Sequence, residues 1–537
     1  MKHRFRDVPR LAAHLLAVLG AMLAISCAMA PAKLERANSP GTSPFSSGRE
    51  TLHGLIELSL ETPNEGESAY ALAQMVEEWH RLQRKLVSGA VEPDRNSESD
   101  TTFRVRFRVD GPAEFYPYYF DEISPALDYE VKKLERHSKE GIGAPLKALR
   151  ENEGREPIEA WYPPEAITRE VTAVIHPGPK QGSTQDITIE LLCAHYHEYV
   201  TVAGTRQPLA AEYTVALAGL LERTKGLSRA EFWDLVKAQP SRDPQLYLME
   251  PYDPRKEPLI MIHGLLASPL TWADLTNALR ADPQIRSRYQ VWHYLYNTSA
   301  PALYSGRLLR TQLRDLRSLL DPGRRHAASH RSTLITHSMG GIVARGLITE
   351  PGDAFWNAAF TRPFSSLNLG PEDRDSLQEA FFWKPDPSVR RVVFIAVPHR
   401  GSDYADNLVG RFGRSIVKPP RTFQAFYERI SSANPGAFTE AYAELGEGKL
   451  DSVSALSPLQ PTLKILPELP LGYRVSLHSI IGDQGKEGEL EESSDGIVPY
   501  WSSHLDEAAT ETILPFGHSL IDEPDTTEEI SRLLKLP

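Results

Sequence analysis

Residues 331–350 read R-S-T-L-I-T-H-S-M-G-G-I-V-A-R-G-L-I-T-E, and this stretch decides the fold of the chain around it. Residues 333–335 form a short apolar, β-branched run, which predicts a buried parallel strand. From Met339 the apolar residues take helical spacing, until the proline and glycine at 351–352 end the helix. Ser338 therefore lies at the turn between a strand and a helix, where its hydroxyl projects beyond the sheet.

A sharp turn of this kind requires two backbones to approach closely, and Gly340 and Gly341 allow that approach on the helix side. The backbone N–H of Met339 would point to where an oxyanion forms, at the positive end of the helix. On the strand side, Thr336 stands where the pattern G-x-S-x-G has its first glycine. The alternative interpretation is an ordinary serine in a strand–helix loop, so the downstream sequence has to decide.

The overall composition bounds the class of function. The chain has 537 residues, of which 41% are hydrophobic, and its formal net charge is −12. This length allows one large core or two. Because the chain is acidic and no long basic run offsets its charge, the composition argues against nucleic acid as a partner.

The first thirty residues have the features of an export signal, with basic residues before an apolar run at 11–25. This run is short for a membrane span. A-I-S-C, ending at Cys27, resembles a bacterial lipobox, although Ala24 replaces the usual leucine. The resemblance implies a signal peptide over 1–26 and lipid on Cys27. The alternative is the A-M-A peptidase site at 28–30, which would discard Cys27 and release a soluble periplasmic or secreted protein.

Both alternatives predict a protein that leaves the cytoplasm. With lipidation, we expect a membrane lipoprotein of the cell envelope that is anchored at Cys27. Residues 27–50 are rich in Ser, Pro and Gly, which predicts a flexible tether. Cys193 would then be the single remaining thiol, so no intramolecular disulfide is expected and stability depends on burial.

Residues 51–245 predict an accessory domain of β-rich or α+β type whose role the sequence does not show. Apolar residues repeat at helical spacing over 72–86, and 103–109 alternate strictly, which predicts a strand. Three arginines form one face of that strand; a solvated face is the simpler interpretation, and lipid-phosphate binding is the alternative. His195 and His197 form an H-x-H pair that can ligate metal, but without an evident third ligand they are expected to be ordinary histidines. Further strands are predicted at 186–192 and 199–203, and a helix at 209–221.

From residue 246 to residue 537 predicted strands and helices alternate. A buried strand at 258–262 runs into His263 and Gly264, and a serine and proline at 268–269 begin the next helix. Further strands are predicted at 290–296, 389–397, 475–481 and 511–514, with helical patterns between them. This order predicts an α/β fold with a doubly wound, mostly parallel sheet that carries its functional residues at the carboxyl ends of the strands.

Three short motifs occur in order in this half of the chain: H-G at 263–264, H-S-M-G-G at 337–341 and P-H-R-G-S at 398–402. Together they resemble the bacterial lipase and esterase branch of the α/β-hydrolases, including relatives of the GPI-inositol deacylases. The resemblance implies a catalytic domain over 246–537, with a second oxyanion N–H from Leu265. It also implies a helical lid at about 403–458, for which a permanently packed helical cap is the alternative.

Candidates for a catalytic triad follow predicted strands in the order Ser338, Asp495, His518, which is the chain order of α/β-hydrolases. A serine hydroxyl needs a base, and the base needs an acceptor that fixes its tautomer. Asp495 lies in D-G-I-V-P, which resembles the acid loop of the family, and Asp483 is the alternative acid. His518 follows the last strand, whereas the alternative base His504 precedes it.

These residues predict a serine hydrolase that cleaves carboxylic esters, with lipid or acyl esters as substrates and no metal or organic cofactor. Leu265 and Met339 are the expected oxyanion donors, supported by His263, Gly264 and Gly340. His337 is expected to be a packing residue, because adjacent side chains diverge at such a turn. Within the same chemistry, an envelope acyltransferase or a phospholipase is an alternative. A surface-binding lipoprotein with a vestigial hydrolase fold is an alternative of a different class.

Overall fold

A computed structural model gives the fold of the protein. It describes residues 33–36, 51–83, 86, 88–93, 99–109, 119–224, 243–265, 267–298, 300–402, 421–440, 442–443, 460–472, 474–485 and 487–537.

The strands and helices of these residues alternate most regularly in the second half of the chain. The strands are β1 (Lys33–Arg36), β2 (Gly89–Val91), β3 (Thr102–Val109), β4 (Glu122–Pro125), β5 (Tyr129–Lys132), β6 (Ser138–Lys139), β7 (Ala144–Arg150), β8 (Ile167–Gln181), β9 (Thr184–Cys193), β10 (Tyr199–Val202), β11 (Thr205–Pro208), β12 (Ala211–Glu212), β13 (Gln245–Leu248), β14 (Glu257–Ile262), β15 (Tyr289–Leu295), β16 (Ser332–His337), β17 (Val389–Ile395), β18 (Ser476–Gly482) and β19 (Thr510–Leu514). The helices are α1 (Leu52–Ser59), α2 (Gly66–Gln83), α3 (Val215–Arg223), α4 (Ala273–Ala281), α5 (Pro283–Arg288), α6 (Ala302–Leu320), α7 (Met339–Ile348), α8 (Ala354–Ala359), α9 (Pro371–Phe381), α10 (Arg421–Ala433), α11 (Pro461–Ile465), α12 (Tyr500–Ser503) and α13 (Pro524–Lys535). Among the described residues, none of these helices combines the length and the hydropathy that a membrane span requires.

The second half of the chain forms a seven-stranded sheet in the order β13-β15-β14-β16-β17-β18-β19. β13 runs antiparallel to β15, and the other neighbouring pairs are parallel. The predicted α/β architecture with a mostly parallel sheet is therefore present. Because the carboxyl ends of the parallel strands meet at one edge, the loops that follow β14, β16, β18 and β19 lie close together there.

Helices cover both faces of this sheet, which explains why its strands are apolar on both sides. Leu259, Met261 and Ile335 pack into one apolar cluster together with residues of α4 and α13. Ile260 and Leu334 pack into the other cluster, with residues of α6 and α7. Successive side chains of a strand point to opposite faces, so a strand that is covered twice reads as a continuous hydrophobic run.

The first half of the chain contains a six-stranded sheet in the order β2-β3-β9-β8-β7-β4. Its face is covered by α2, whose Trp79 is fully buried in the same apolar cluster as Ile189 of β9. That cluster also contains Ile260 and Leu334 of the seven-stranded sheet. The two sheets thus share a contiguous apolar contact, and the division into domains at 245/246 stays a prediction.

Strand β1 corrects the predicted tether over 27–50. Lys33–Arg36 pairs antiparallel with Tyr129–Lys132, and the side chain of Leu34 is buried against α3. The Arg36 guanidinium lies 2.6 Å from the carboxylate of Asp128. The composition of the segment predicted flexibility, but composition does not reveal a pairing partner that lies almost a hundred residues away. The rest of the tether, the predicted signal peptide 1–26 and Cys27 lie outside the described residues.

The helix predicted over 209–221 begins later, at Val215. Ala211–Glu212 instead forms a short strand that pairs with Ser138–Lys139. The carboxylate of Glu212 then accepts a hydrogen bond from the backbone N–H of Val215 at 2.7 Å, which caps the first turn of the helix. The apolar pattern that suggested an earlier start belongs to residues buried in a strand and loop.

The alternating strand β3 has the two faces that its sequence predicts. Phe103 and Val105 are buried, whereas the three arginines that alternate with the apolar residues, at 104, 106 and 108, are exposed. Arg104 lies 3.1 Å from Asp186, and Arg108 forms an ion pair with Glu190, both on the neighbouring strand β9. Acidic partners from the same sheet thus engage two of the three arginines, which favours the solvated-face interpretation over phosphate binding.

The predicted lid at 403–458 is described only in part, because residues 403–420, 441 and 444–459 lie outside the described residues. Helix α10 lies in the described part. Its Ile430 is buried in an apolar cluster with Trp356 and Phe360 of the α8 region. The Phe438 ring, beyond α10, lies 4.7 Å from that of Phe360. Movement of this segment as a lid stays a prediction.

Candidate active site

The turn between β16 and α7 places Ser338 in a strained backbone conformation. Its φ is 52° and its ψ is −126°, a region that non-glycine residues seldom occupy. Strand β16 ends at His337, and α7 begins at Met339. This conformation directs the serine side chain out of the turn, at the carboxyl edge of the sheet, as in a nucleophile elbow.

Close packing around the turn explains its glycines. A Cβ on Gly340 would lie 2.2 Å from the carbonyl oxygen of Ile262, and a Cβ on Gly341 would lie 2.3 Å from the side chain of Val397. On the strand side, Thr336 is buried, and its hydroxyl donates to the carbonyl of Val393 at 3.2 Å. The steric demand is therefore greatest on the helix side.

Three side chains from separate loops meet at this edge. Nε2 of His518, which follows β19, lies 2.9 Å from Oγ of Ser338. Nδ1 of His518 lies 2.7 Å from Oδ2 of Asp495, which follows β18. Since a carboxylate only accepts hydrogen bonds, Nδ1 carries the proton and Nε2 presents its lone pair to the serine hydroxyl.

The carboxylate of Asp495 is fixed by its own loop. Its Oδ1 accepts hydrogen bonds from the backbone N–H groups of Ile497 at 2.8 Å and Val498 at 2.7 Å. Asp495 is 3% exposed, whereas the side chain of His518 is 15% exposed. The acid is thus buried and held in one orientation, while the base remains accessible from the edge of the sheet.

The two alternative residues for the triad lie elsewhere. Asp483 accepts a hydrogen bond from the backbone N–H of Gly485 within a turn. His504 lies between the carboxylates of Glu511 and Asp506, at 2.6 and 3.1 Å. Burial opposes protonation of His504, but these two carboxylates outweigh it and raise its pKa. No hydrogen bond or ion pair among the described residues joins either of them to His518 or Ser338.

The predicted oxyanion donors flank Ser338. A Cβ on Gly264 would lie 3.0 Å from Cβ of Ser338, so the backbone that leads to Leu265 passes directly beside the serine. Among the hydrogen bonds of the described residues, none uses the backbone N–H of Leu265 or Met339. Both groups therefore remain available to an oxygen atom bound next to Ser338.

His263 supports the loop that carries Gly264. Its ring stacks on Tyr296 with centroids 4.4 Å apart, and the Tyr296 hydroxyl donates to the carbonyl of His263 at 2.7 Å. Burial lowers the pKa of His263 to about 4, so its imidazole is neutral near neutral pH. The ring packs against Tyr296 and holds the loop.

The motif at 398–402 holds the acid loop, a role that the sequence did not indicate. The Arg400 guanidinium donates to the carbonyl oxygens of Trp501 at 3.1 Å and His504 at 2.6 Å. The hydroxyl of Ser402 donates to the carbonyl of Ile497, two residues after Asp495. The order of this motif after the serine was visible in the sequence, but its partners, about a hundred residues away, were not.

The H-x-H pair does not form a metal site in the described residues. His195 is buried between Glu170 and Glu250, with ring nitrogens 2.9 and 3.0 Å from their carboxylates, and Arg280 approaches it as well. No group of three or more potential ligands that could hold a metal ion occurs in the part of the chain that the structure describes. His195 is therefore not an ordinary loop residue, since it belongs to a buried ionic cluster.

A mostly parallel sheet with a serine at a strand–helix turn, followed in the chain by an aspartate and a histidine that contact it, is the arrangement of α/β-hydrolases. No protein-family model matches the chain, and no curated protein matches it.

Solved structures of lipases and esterases resemble the chain at low identity. The mature lipase BlEst2 of Bacillus licheniformis is 18% identical with a TM-score of 0.32, and the match covers 54% of this chain and 98% of that one. A putative aryl esterase from Burkholderia cenocepacia is 15% identical with a TM-score of 0.26, covering 54% and 93%. The esterase EaEST from Exiguobacterium antarcticum is 14% identical with a TM-score of 0.29, covering 55% and 96%. Because these values are low, function is inferred from the chain's own site.

Proposed function

We propose that the protein is a serine hydrolase that cleaves carboxylic esters through an acyl-enzyme intermediate. The observation that carries this proposal is the bridging imidazole of His518, 2.9 Å from the Ser338 oxygen and 2.7 Å from the Asp495 carboxylate. A serine hydroxyl is a weak nucleophile by itself, and a base within hydrogen-bond distance is what activates it.

In the acylation step, Oγ of Ser338 attacks the ester carbonyl carbon while its proton passes to Nε2 of His518. The negative charge that develops on the carbonyl oxygen is stabilised by the N–H groups of Leu265 and Met339, which are oriented before the reaction begins. When the tetrahedral intermediate collapses, the imidazolium gives its proton to the departing alkoxide. The products of this step are an acylated serine and a free alcohol.

In the deacylation step, a water molecule takes the place of the alcohol. His518 removes a proton from the water as its oxygen attacks the acyl carbon, and then returns that proton to Oγ of Ser338 as the acid leaves. Asp495 holds the imidazole in the required tautomer and stabilises its positive charge in both steps. A different alcohol in place of water would give acyl transfer by the same residues.

For the substrate class we propose lipid or acyl esters, as the resemblance to the lipase and esterase branch implies. A series of p-nitrophenyl esters from acetate to palmitate tests this point directly. A rise in kcat/KM with acyl length supports a lipid substrate, whereas a maximum at acetate or butyrate assigns small esters. Repeating the assay with added glycerol separates hydrolysis from transfer, because transfer yields a glycerol ester in place of free acid.

A fluorophosphonate probe tests the enzymatic proposal before any substrate is known. The probe reacts with an activated serine, whose oxygen bonds to phosphorus as fluoride leaves. We expect the wild type to be labelled and Ser338→Ala to remain unlabelled, with both proteins melting at the same temperature. No labelling of the folded wild type would overturn the proposal and favour a surface-binding protein with a vestigial hydrolase fold.

We also propose that the protein is exported and held in the cell envelope by lipid on Cys27, as the lipobox-like sequence suggests. The test is fractionation of cells that express the full chain. Wild-type protein is expected in the membrane fraction and Cys27→Ala in the soluble fraction. Equal membrane association of the two proteins would remove the anchor, and cleavage after Ala30 in the wild type would assign a soluble exported protein.

A further inference from the structure

His337, the residue before the candidate nucleophile, is directed at the residue that would act as its base. Its Nε2 lies 2.9 Å from the backbone carbonyl oxygen of His518. The two imidazole rings have centroids 5.0 Å apart and an interplanar angle of 42°. His337 was expected to be a packing residue, but its ring reaches the loop that carries the base.

The chemistry of this contact assigns the tautomer of His337. A carbonyl oxygen only accepts hydrogen bonds, so Nε2 carries the proton and Nδ1 carries a lone pair. Nδ1 is buried and has no hydrogen-bond partner among the described residues. A Cβ on Gly264 would lie 3.0 Å from this nitrogen, so the absence of a side chain there makes room for the ring.

The surroundings of His337 keep its imidazole neutral. Burial and, next to it, the neighbouring His518 lower the pKa of His337 to about 3. His518 takes up a proton in the proposed mechanism, and a second positive charge at this distance would oppose that uptake. A neutral ring holds the loop through one N–H group without adding such a charge.

The backbone of His518 has little other support. Among the described residues, no backbone–backbone hydrogen bond uses the N–H or the carbonyl of His518. The flanking anchors are a bond from the N–H of Gln484 to the carbonyl of Phe516 at 2.9 Å and a turn in which Leu520 N–H donates to Gly517 at 3.0 Å. The bond from His337 is therefore the contact that fixes the peptide of His518 itself.

We propose that His337 is a positioning residue: by donating Nε2–H to the carbonyl of His518, it sets the distance between the imidazole and Oγ of Ser338. This inference rests on the proposed serine-hydrolase function, because it assigns no activity of its own. One side chain of the nucleophile turn would thereby fix the position of the base relative to the serine. Gly264 of the oxyanion loop lies beside the same ring, since a Cβ there would lie 3.0 Å from its Nδ1.

Three substitutions separate the donor from the ring. His337→Gln places an amide N–H at about the position of Nε2, whereas His337→Asn ends one bond short, and His337→Phe keeps a ring without a donor. The readouts are the second-order rate of fluorophosphonate labelling, and kcat and KM for p-nitrophenyl butyrate, with wild type and Ser338→Ala as references. Melting temperatures show which variants are folded.

We expect labelling and kcat to fall by about 10- to 100-fold in His337→Phe and His337→Asn, since misplacement of a catalytic group by a fraction of an ångström to 1 Å has effects of this order. KM is expected to change by less than about threefold, because the loss falls on the chemical step and leaves substrate binding intact. His337→Gln is expected to recover most of the rate. If His337→Phe does not fold, the comparison of the Asn and Gln variants decides.

Two results would overturn the inference. The first is a folded donor-free variant with the rates of the wild type. The second is a folded His337→Gln as slow as His337→Asn, which would assign a packing role to the ring. A wild type that reacts no faster than Ser338→Ala is a different result: it overturns the proposed function and this inference with it.

Discussion

Two histidines of this protein contact carboxylates at nearly the same distance, in very different surroundings. Nδ1 of His518 lies 2.7 Å from Asp495, and Nε2 of His195 lies 2.9 Å from Glu170. The side chain of His518 is 15% exposed and its second nitrogen meets a serine hydroxyl. The side chain of His195 is 1% exposed, and its second nitrogen lies 3.0 Å from another carboxylate.

The difference shows that a histidine–carboxylate contact does not by itself define a reactive site. The Nε2 of His518 faces a hydroxyl at an accessible edge, which is the geometry that proton transfer requires. His195 is surrounded by fixed charges, including the Arg280 guanidinium 2.6 Å from Glu170, and the Lys256 ammonium donates to its backbone carbonyl at 3.0 Å. These charges compensate one another without access for a substrate.

The sharpest test of the comparison removes the hydroxyl that distinguishes the two sites. We expect Ser338→Ala to lower kcat for ester hydrolysis by on the order of 10⁶-fold, because the covalent route is lost. The melting temperature should stay at the wild-type value, since Ser338 contributes one small side chain. The measurement is kcat on a p-nitrophenyl ester with matched calorimetry. Residual turnover within tenfold of the wild type would assign the activity to another residue.

A matched pair of carboxylate-to-amide substitutions tests the two groups of side chains, the one around His518 and the one around His195. In Asp495→Asn the amide presents N–H groups to Nδ1 of His518 and favours the wrong tautomer, so we expect kcat to fall by about 10⁴-fold. Glu170→Gln removes a carboxylate at a similar distance from His195, and we expect its folded fraction to keep the wild-type kcat. Steady-state kinetics on both variants checks the contrast. Equal losses of kcat would show that the two clusters are coupled.

Much of the fold in the second half of the chain could be predicted from the sequence, because its signals are local. Continuous apolar runs such as 258–262 predicted strands that helices cover on both faces, and the structure has them. Glycines at 340 and 341 predicted the close approach at the turn. Strand β1 was missed for the opposite reason, since its pairing with Tyr129–Lys132 depends on a distant segment of low local signal.

Within the candidate site, Ser338, Asp495 and His518 were predicted to meet from their chain order, their places after predicted strands and the likeness of D-G-I-V-P to the family's acid loop. The distances agree with that prediction. Their catalytic roles stay predictions until activity is measured. The contact of His337 with the carbonyl of His518 was not predictable, because it joins a side chain to a backbone atom 181 residues away. The cluster around His195 was missed because its charges come from both halves of the chain.

The third prediction concerns stability in the buried cluster. Arg280→Met removes a cation that is 3% exposed and leaves Glu170 with His195 but without its guanidinium partner. Breaking a buried ion pair in this way typically costs about 3–5 kcal/mol of unfolding free energy. Arg155→Ala is the matched control, because Arg155 lies 2.7 Å from Glu153 with both side chains about half exposed, and its loss should cost about 1 kcal/mol or less. Urea denaturation measures both, and equal losses would contradict the description of the cluster as buried charges that compensate one another.

The smallest effect is expected in the pH dependence of stability. Burial opposes ionisation of Glu170 and Glu250, but the neighbouring cations outweigh it and lower the pKa of each carboxylate below its usual 4.5. As the pH falls below that value, the unfolded chain takes up protons at these groups before the folded chain does, so folding stability is lost with acidification. Glu250→Gln keeps the oxygen that accepts a hydrogen bond from Val291 but cannot titrate. We therefore expect its unfolding free energy to fall less steeply than that of the wild type between about pH 5 and pH 3.

Ser338→Ala should follow the wild-type slope, since it changes no titratable group. Parallel curves for all three proteins would show that the acid sensitivity arises outside the cluster, and the contrast between the two histidines would then concern access alone.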